Sequence, residues 1–91
     1  MTPDQASIVA LKALQHVAAD DALLRRFLQE SGTEPAALSH LAARPEFLAG
    51  VLDFLLTNEA ILLAFCQAAG MTPEAPDRAR RMLPGADREF E

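Results

Sequence analysis

Proline and glycine cut this chain into pieces that cannot stand alone. Gly32 followed by Pro35, and Gly70 followed by Pro73, stop and restart the chain at the same spacing, while Pro3, Pro45 and Pro76 sit where other segments begin. Glycine admits the left-handed backbone that ends a helix, and proline suits a first helical turn, where an N–H would lack a partner anyway. Between these breaks the residues are mostly Leu and Ala rather than Val, Ile and Thr, which favours helices over strands. Helices this short are marginal in water by themselves, so their apolar faces have to be buried against one another. The chain is therefore expected to be an all-α, compact bundle of five to six short helices.

The local signals place each element. "TPDQ" puts Thr2 at an N-cap, Pro3 at the first helical position and Gln5 where a capping box needs Glu or Gln. A first helix should run from Pro3 to about Ala18 with Ile8, Leu11, Leu14 and Val17 or Ala18 inward. Asp20 caps a second helix to about Ser31, with Leu23, Leu24, Phe27 and Leu28 on one face and Arg25, Arg26, Gln29 and Glu30 on the other. Thr33 to Pro35 restart a third, through about Ala43, carrying Leu38, Leu41 and Ala42 inward. A fourth runs from Pro45 to about Leu56, where Phe47, Leu48, Val51, Leu52 and Leu55 form a stripe that Phe54 and Leu56 widen. Asn58 or Thr57 caps a fifth, which stops at Gly70. The sixth opens at Thr72 and Pro73, or at Pro76, and ends at "LPG", Leu83 to Gly85; residues 84–91 read as a flexible tail.

Shifting the chain by about 38 positions aligns Ala22 with Ala60, Leu24 with Leu62, Phe27 with Phe65, Gln29 with Gln67, Gly32 with Gly70 and Pro35 with Pro73. This reads as an internal duplication of two three-helix units, about 3–43 and 45–83, closing on each other as a single domain over 1–83. Two copies are too few for an open solenoid.

The copies differ in charge. Arg25, Arg26 and Glu30 become Leu63, Ala64 and Ala68 in the fifth helix. Helical geometry puts Leu63 away from Ile61 and Phe65, beside Glu59 and Gln67, so apolar residues occur on both sides of this helix. Either the fifth helix is the central helix of the monomer, or its outer face is a docking or homodimer surface made by Leu63, Glu59, Gln67 and Leu56. Arg78, Arg80 and Arg81 add a cationic cluster to the sixth helix. Cations near a helix C-terminus complement its dipole, and an acidic protein partner is the alternative use.

Charge and composition limit the remaining classes. A formal charge of −5 argues against a nucleic-acid partner and against an anionic membrane surface. Phe47 to Gly70 is apolar but broken by Asp53 and Thr57 to Glu59, so it is not expected to span a bilayer. The lone Cys66 has no partner for a disulfide, and "MTPDQAS" lacks the basic-then-apolar pattern of a secretory signal, which together suggest the cytoplasm. Cys66 takes the place of Leu28 and reads as a small buried residue rather than a nucleophile. His16 and His40 lie in different helices with no accompanying ligand pattern. Asp53 reads as solvated, and Gly50 as the site of a close helix crossing. No catalytic, cofactor-binding or metal residues are assigned.

The stretch "FLAGVLDFLLTNEAILLAFCQAAGMTPE", with "RARRMLPG" after it, resembles a family of small alphaproteobacterial proteins grouped as domain of unknown function 3572. The resemblance extends from about Ala6 to Gly85, is strongest from Phe47 to Pro73, and departs at Pro76. It implies no established activity, catalytic residue or cofactor. The expectation is a non-enzymatic, cytoplasmic helical protein-protein interaction module with a possible regulatory role, partnered by another protein or by a second copy. The alternative is a small-molecule binder or minor enzyme with a pocket between the two halves, near Cys66 or His16.

Overall fold

The computed structural model describes residues 1–84; the "ADREFE" tail and Gly85 of the expected "LPG" stop lie outside the described residues. Six α-helices follow in order: α1 Pro3–Ala18, α2 Asp21–Ser31, α3 Leu38–Leu41, α4 Pro45–Leu56, α5 Glu59–Ala69 and α6 Glu74–Arg81, with a 3-10 turn at Pro35–Ala37 before α3. The fold is all-α, as the punctuation predicts. α1, α4 and α6 pack on one another to form the body of the bundle. α2 lies against α1 and α4, and α5 against α4 and the edge of α1.

The helix ends follow from identifiable groups. The Gln5 N–H donates to Thr2 Oγ1 at 3.1 Å while the Thr2 N–H donates to Gln5 Oε1 at 2.9 Å, the reciprocal capping box. Asp20 Oδ1 accepts from the N–H groups of Ala22 and Leu23 at 3.0 and 3.1 Å, at the start of α2. α2 and α5 stop identically: Gly32 and Gly70 both take φ 68°, and the Thr33 and Met71 N–H groups reach back to the carbonyls of Leu28 and Cys66, each at 3.0 Å.

Other boundaries differ from expectation for physical reasons. Asn58 occupies the N-cap position of α5, but its side chain makes no cap bond there. Its amide donates instead to the Phe54 carbonyl at 2.8 Å, satisfying the exposed end of α4. α6 begins at Glu74, between the two prolines considered, which makes Pro76 its third residue. A third residue has no intrahelical N–H partner to lose, so Pro76 fits without breaking a bond. The expected third helix is reduced to a 3-10 turn and one α turn, and Leu38, Leu41 and Ala42 are only half-buried.

The inward face of α1 is corrected in part: Val17 is buried and Leu14 half-buried against the core as expected, but Ile8 and Leu11 are not inward. Ile8 and Leu11 point outward, 53% and 39% exposed, while Ala6, Ala10, Ala13 and Val17 are fully buried. These four recur at i, i+4, i+7 and i+11, one lane of the helix. Their small side chains let α1 settle close against α4 and α6. The central position belongs to α4, where Leu48, Ala49, Val51, Leu52, Phe54 and Leu55 are buried, and not to α5, of which only Phe65 and Cys66 are. Phe27 fixes α2 to this centre, meeting Phe47 and Phe54 edge-on at centroid distances of 5.7 and 5.3 Å. Gly50 is a second correction: it is exposed, and a Cβ built there meets nothing within 4 Å, so no close crossing occurs at it.

Two substitution pairs test this packing by urea denaturation. Ala13→Leu overfills the α1 lane and is expected to destabilise by about 1–3 kcal/mol, whereas Leu11→Ala should cost less than about 1 kcal/mol. The opposite order would mean that the leucine lane faces inward. Gly50→Ala should stabilise by roughly 0.4–1 kcal/mol, since an unhindered helical site gains from a less flexible unfolded chain. Gly32→Ala should destabilise by about 1 kcal/mol, because a Cβ is strained at positive φ.

Candidate functional site

The exposed side of α5 follows from its placement as a flanking helix. Phe65 and Cys66 turn towards the body, with Ile61, Leu62 and Ala69 half-buried beside them. Ala60, Leu63, Ala64, Gln67 and Ala68 face outward, and Leu63 is 47% exposed. Glu59 is exposed at the start of the same helix, and Leu56 is half-buried at the end of α4. The structure therefore brings Leu63, Glu59 and Gln67 to one solvent-facing helix.

The matching face of α2 is charged and engaged. Arg26 donates through Nε to Glu30 at 2.8 Å and through Nη2 to Asn58 Oδ1 at 2.6 Å, and its guanidinium lies 5.8 Å from the Phe54 ring centroid. This one side chain ties α2 to the corner between α4 and α5. Ala64 replaces it at the corresponding place on α5 and offers no such tie.

The arginine cluster on α6 does not act as a unit. Arg80 turns inward, its Nε donating to Asp53 Oδ1 at 2.6 Å and its Nη1 to the Pro84 carbonyl at 3.2 Å. It is removed from the candidate surface, and Asp53 is correspondingly an ion-pair partner rather than a merely solvated carboxylate. Arg81 pairs with Asp77 at 3.2 Å, one turn earlier on the same helix. Arg78 is exposed. α6 is seated on α1 and α4, so these side chains belong to a different part of the molecule from the α5 face.

Cys66 is buried, as its match to Leu28 predicts. Burial pushes its thiol above the ordinary range, and the Glu74 carboxylate adds to the shift. The thiol lies 3.8 Å from the Thr72 carbonyl. A protonated, enclosed thiol is a poor nucleophile. Glu74 itself is held below the usual carboxylate range by its own backbone N–H and by Thr72, with Arg78 contributing. His16 is half-buried and meets Phe65 edge-on, ring centroids 5.5 Å apart; His40 is exposed on α3. Among the described residues no cluster of three or more His, Cys, Asp or Glu could hold a metal ion.

Two of the hollows formed by the described residues adjoin these side chains. The larger, about 330 Å³, is an open groove between α1 and α5, lined by Lys12, Gln15, His16, Phe65, Ala68 and Ala69. The smaller, about 190 Å³, lies between α2 and α4 and includes Phe27, Glu30, Asp53 and Phe54 in its wall. The larger groove lies between the two proposed halves and includes His16, where the alternative sequence reading put a pocket; Cys66 is not among its lining residues. The alanine spacing 6, 10, 13, in line with Val17, was the signal that places Ile8 on the outer side.

These features define a small all-helical bundle carrying a flanking helix whose outer face is chiefly alanine with Leu63 and Gln67, and whose exposed carboxylate is Glu59 at its first residue. The chain belongs to the family of proteins of unknown function designated DUF3572, whose profile matches residues 3–86. No curated protein and no solved structure shows a match to it. No single helix among the described residues is long and apolar enough to cross a membrane.

The Arg80 contact yields a stability test. The Arg80 side chain is 11% exposed and that of Asp53 50%, so solvent screens the pair from one side. Asp53→Asn should then cost about 1–2 kcal/mol, below the loss of a fully enclosed pair. An unchanged thermal midpoint would show that the Pro84 carbonyl alone satisfies Arg80.

Proposed function

We propose that the chain is a non-enzymatic, cytoplasmic interaction module, regulatory in role, that docks another protein or a second copy of itself through the outer face of α5. One observation carries this reading. In a domain whose other flanking helix, α2, covers its outer face with Arg25, Arg26, Gln29 and Glu30, the outer face of α5 presents Ala60, Leu63, Ala64 and Ala68 to solvent. In the proposed duplication Leu63, Ala64 and Ala68 correspond to Arg25, Arg26 and Glu30, while Gln67 keeps the place of Gln29, so charge has been lost from one copy only. A solvent-facing helix gains nothing from that loss. A covered one does: enclosing the exposed half of Leu63 alone adds about 1 kcal/mol to an association, and alanines let a partner helix approach closely. The protonated, buried thiol of Cys66 and the packing of His16 on Phe65 fit a module without nucleophilic chemistry.

A second reading, a small-molecule binder, has the α1–α5 groove and His16 in its favour. The groove is open and near the low end of the roughly 300–1,000 Å³ typical of ligand pockets, which favours a macromolecular partner.

Leu63→Arg restores the residue type that stands at Arg25. Light scattering of the native chain over a concentration series, with and without this substitution, tests the reading. Association that is lost in the variant, with unchanged helix content and melting temperature, is the expected result. Association that survives the substitution would remove α5 from the interface, and a variant that unfolds would make Leu63 a structural residue.

A further inference from the structure

We infer that the α1–α5 groove, together with the alanine lane beside it, takes an acidic amphipathic helix of a partner protein. The inference rests on the reading of α5 as a docking face and specifies the partner. Ala68 belongs to both features: it is exposed on α5 and lines the groove, and Ala64 lies one turn earlier on the same side. The opposite wall comes from α1, where Lys12, Gln15 and His16 line the groove and the exposed Ile8 precedes Lys12 by one turn. An apolar floor of exposed Ala68 and half-buried Ala69 over the buried Phe65 thus lies between two helices in an open groove. This shape suits an apolar helix face laid into a groove, with anchors at successive turns.

Charge selects among such helices. The chain carries 13 acidic against 8 basic residues, yet the groove lining contains a lysine and a histidine and no carboxylate. A basic helix would be drawn to the molecule as a whole but would set its cations against Lys12. An acidic helix meets repulsion from the net charge of −5, but charges more than about 8–10 Å away are screened at physiological salt, whereas Lys12 is at contact. Local complementarity therefore decides the register and the sign.

The test uses the full chain and two synthetic helices with the same leucine face, one flanked by glutamates and the other by lysines. In calorimetric titration at low salt the glutamate helix should bind about tenfold more tightly than the lysine helix. That ratio should shrink as salt is added, and Lys12→Glu should reverse the preference. Amide shifts in the nuclear magnetic resonance spectrum should fall on α5 and the second half of α1. Equal binding of both helices that is abolished by Ala68→Arg would overturn the charge preference and leave the groove side of α5 standing. Preference for the lysine helix, shifts away from the groove, or binding of neither helix would overturn the inference, and the light-scattering comparison then judges the α5 face separately.

Discussion

The rest of the structure depends on one close contact, the seating of α1 against α4 and α6 through side chains no larger than valine. Ala6, Ala10, Ala13 and Val17 are fully buried, and so is Ala79 on α6. With so little side chain between them, the helix axes can approach to the lower part of the usual 8–10 Å range. The bulk of the core then has to come from the other side of the contact. α4 supplies it with Leu48, Val51, Leu52, Phe54 and Leu55, and it can be large because α1 is small. Once α1 spends its alanines inward, Ile8, Leu11 and Lys12 are left outside. The groove and its cationic wall are thus a consequence of core packing.

The same contact explains why α5 is peripheral although its composition suggests otherwise. Hydrophobicity alone does not rank helices by depth; α4 and α5 are both rich in Leu, Ala and Phe. What separates them is the share of the circumference that large side chains occupy. α4 is apolar on nearly all sides, interrupted by Asp53, which lies half in solvent and holds Arg80. α5 has Phe65 and Cys66 on one side and chiefly alanine on the other, with Leu63 its one large apolar residue there, beside Glu59 and Gln67. Alanine adds little whether covered or exposed, so a helix of this kind can end a bundle or join one.

Element boundaries were legible because they depend on short-range bonds that residue identity determines. Thr2 with Gln5, Asp20 with the N–H groups behind it, and the two left-handed glycines act within four residues of themselves. Facing was less legible. The large apolar residues of α1 put Ile8 and Leu11 inward beside Leu14 and Val17, in place of Ala6, Ala10 and Ala13, since alanine weighs little in any hydrophobic count even when its smallness is what a contact needs. Side chains that act at long range were also hidden: Arg80 reaches Asp53 across 27 residues and Arg26 reaches Asn58 across 32. Nothing local to "RARR" or "LTN" separates these from solvated groups. Of the candidate surface, Leu63, Glu59 and Gln67 fell together because they share one helix, and Arg80 departed because its partner lies on another.

Similar helix stops do not by themselves require a shared origin for the two halves, because any left-handed glycine at a helix end forms the bond that Thr33 and Met71 make. Equivalent packing is the stronger criterion. It is met only in part by the first two helices of each proposed unit: Ala10 and Leu48, Ala13 and Val51, Val17 and Leu55, and Phe27 and Phe65 are buried in pairs, but Leu11 is exposed where Ala49 is buried, and Ala6 is buried where Arg44 is exposed. It fails for the third. α6 is seated on α1 and α4 with Pro76 and Ala79 buried, whereas α3 is a single turn with no buried residue. A bundle with one third-helix position filled and the other nearly empty cannot be two-fold symmetric. Any symmetry is confined to the α1–α2 and α4–α5 pairs, and Leu63, Ala64 and Ala68 on α5 against Arg25, Arg26 and Glu30 on α2 are a second departure from it.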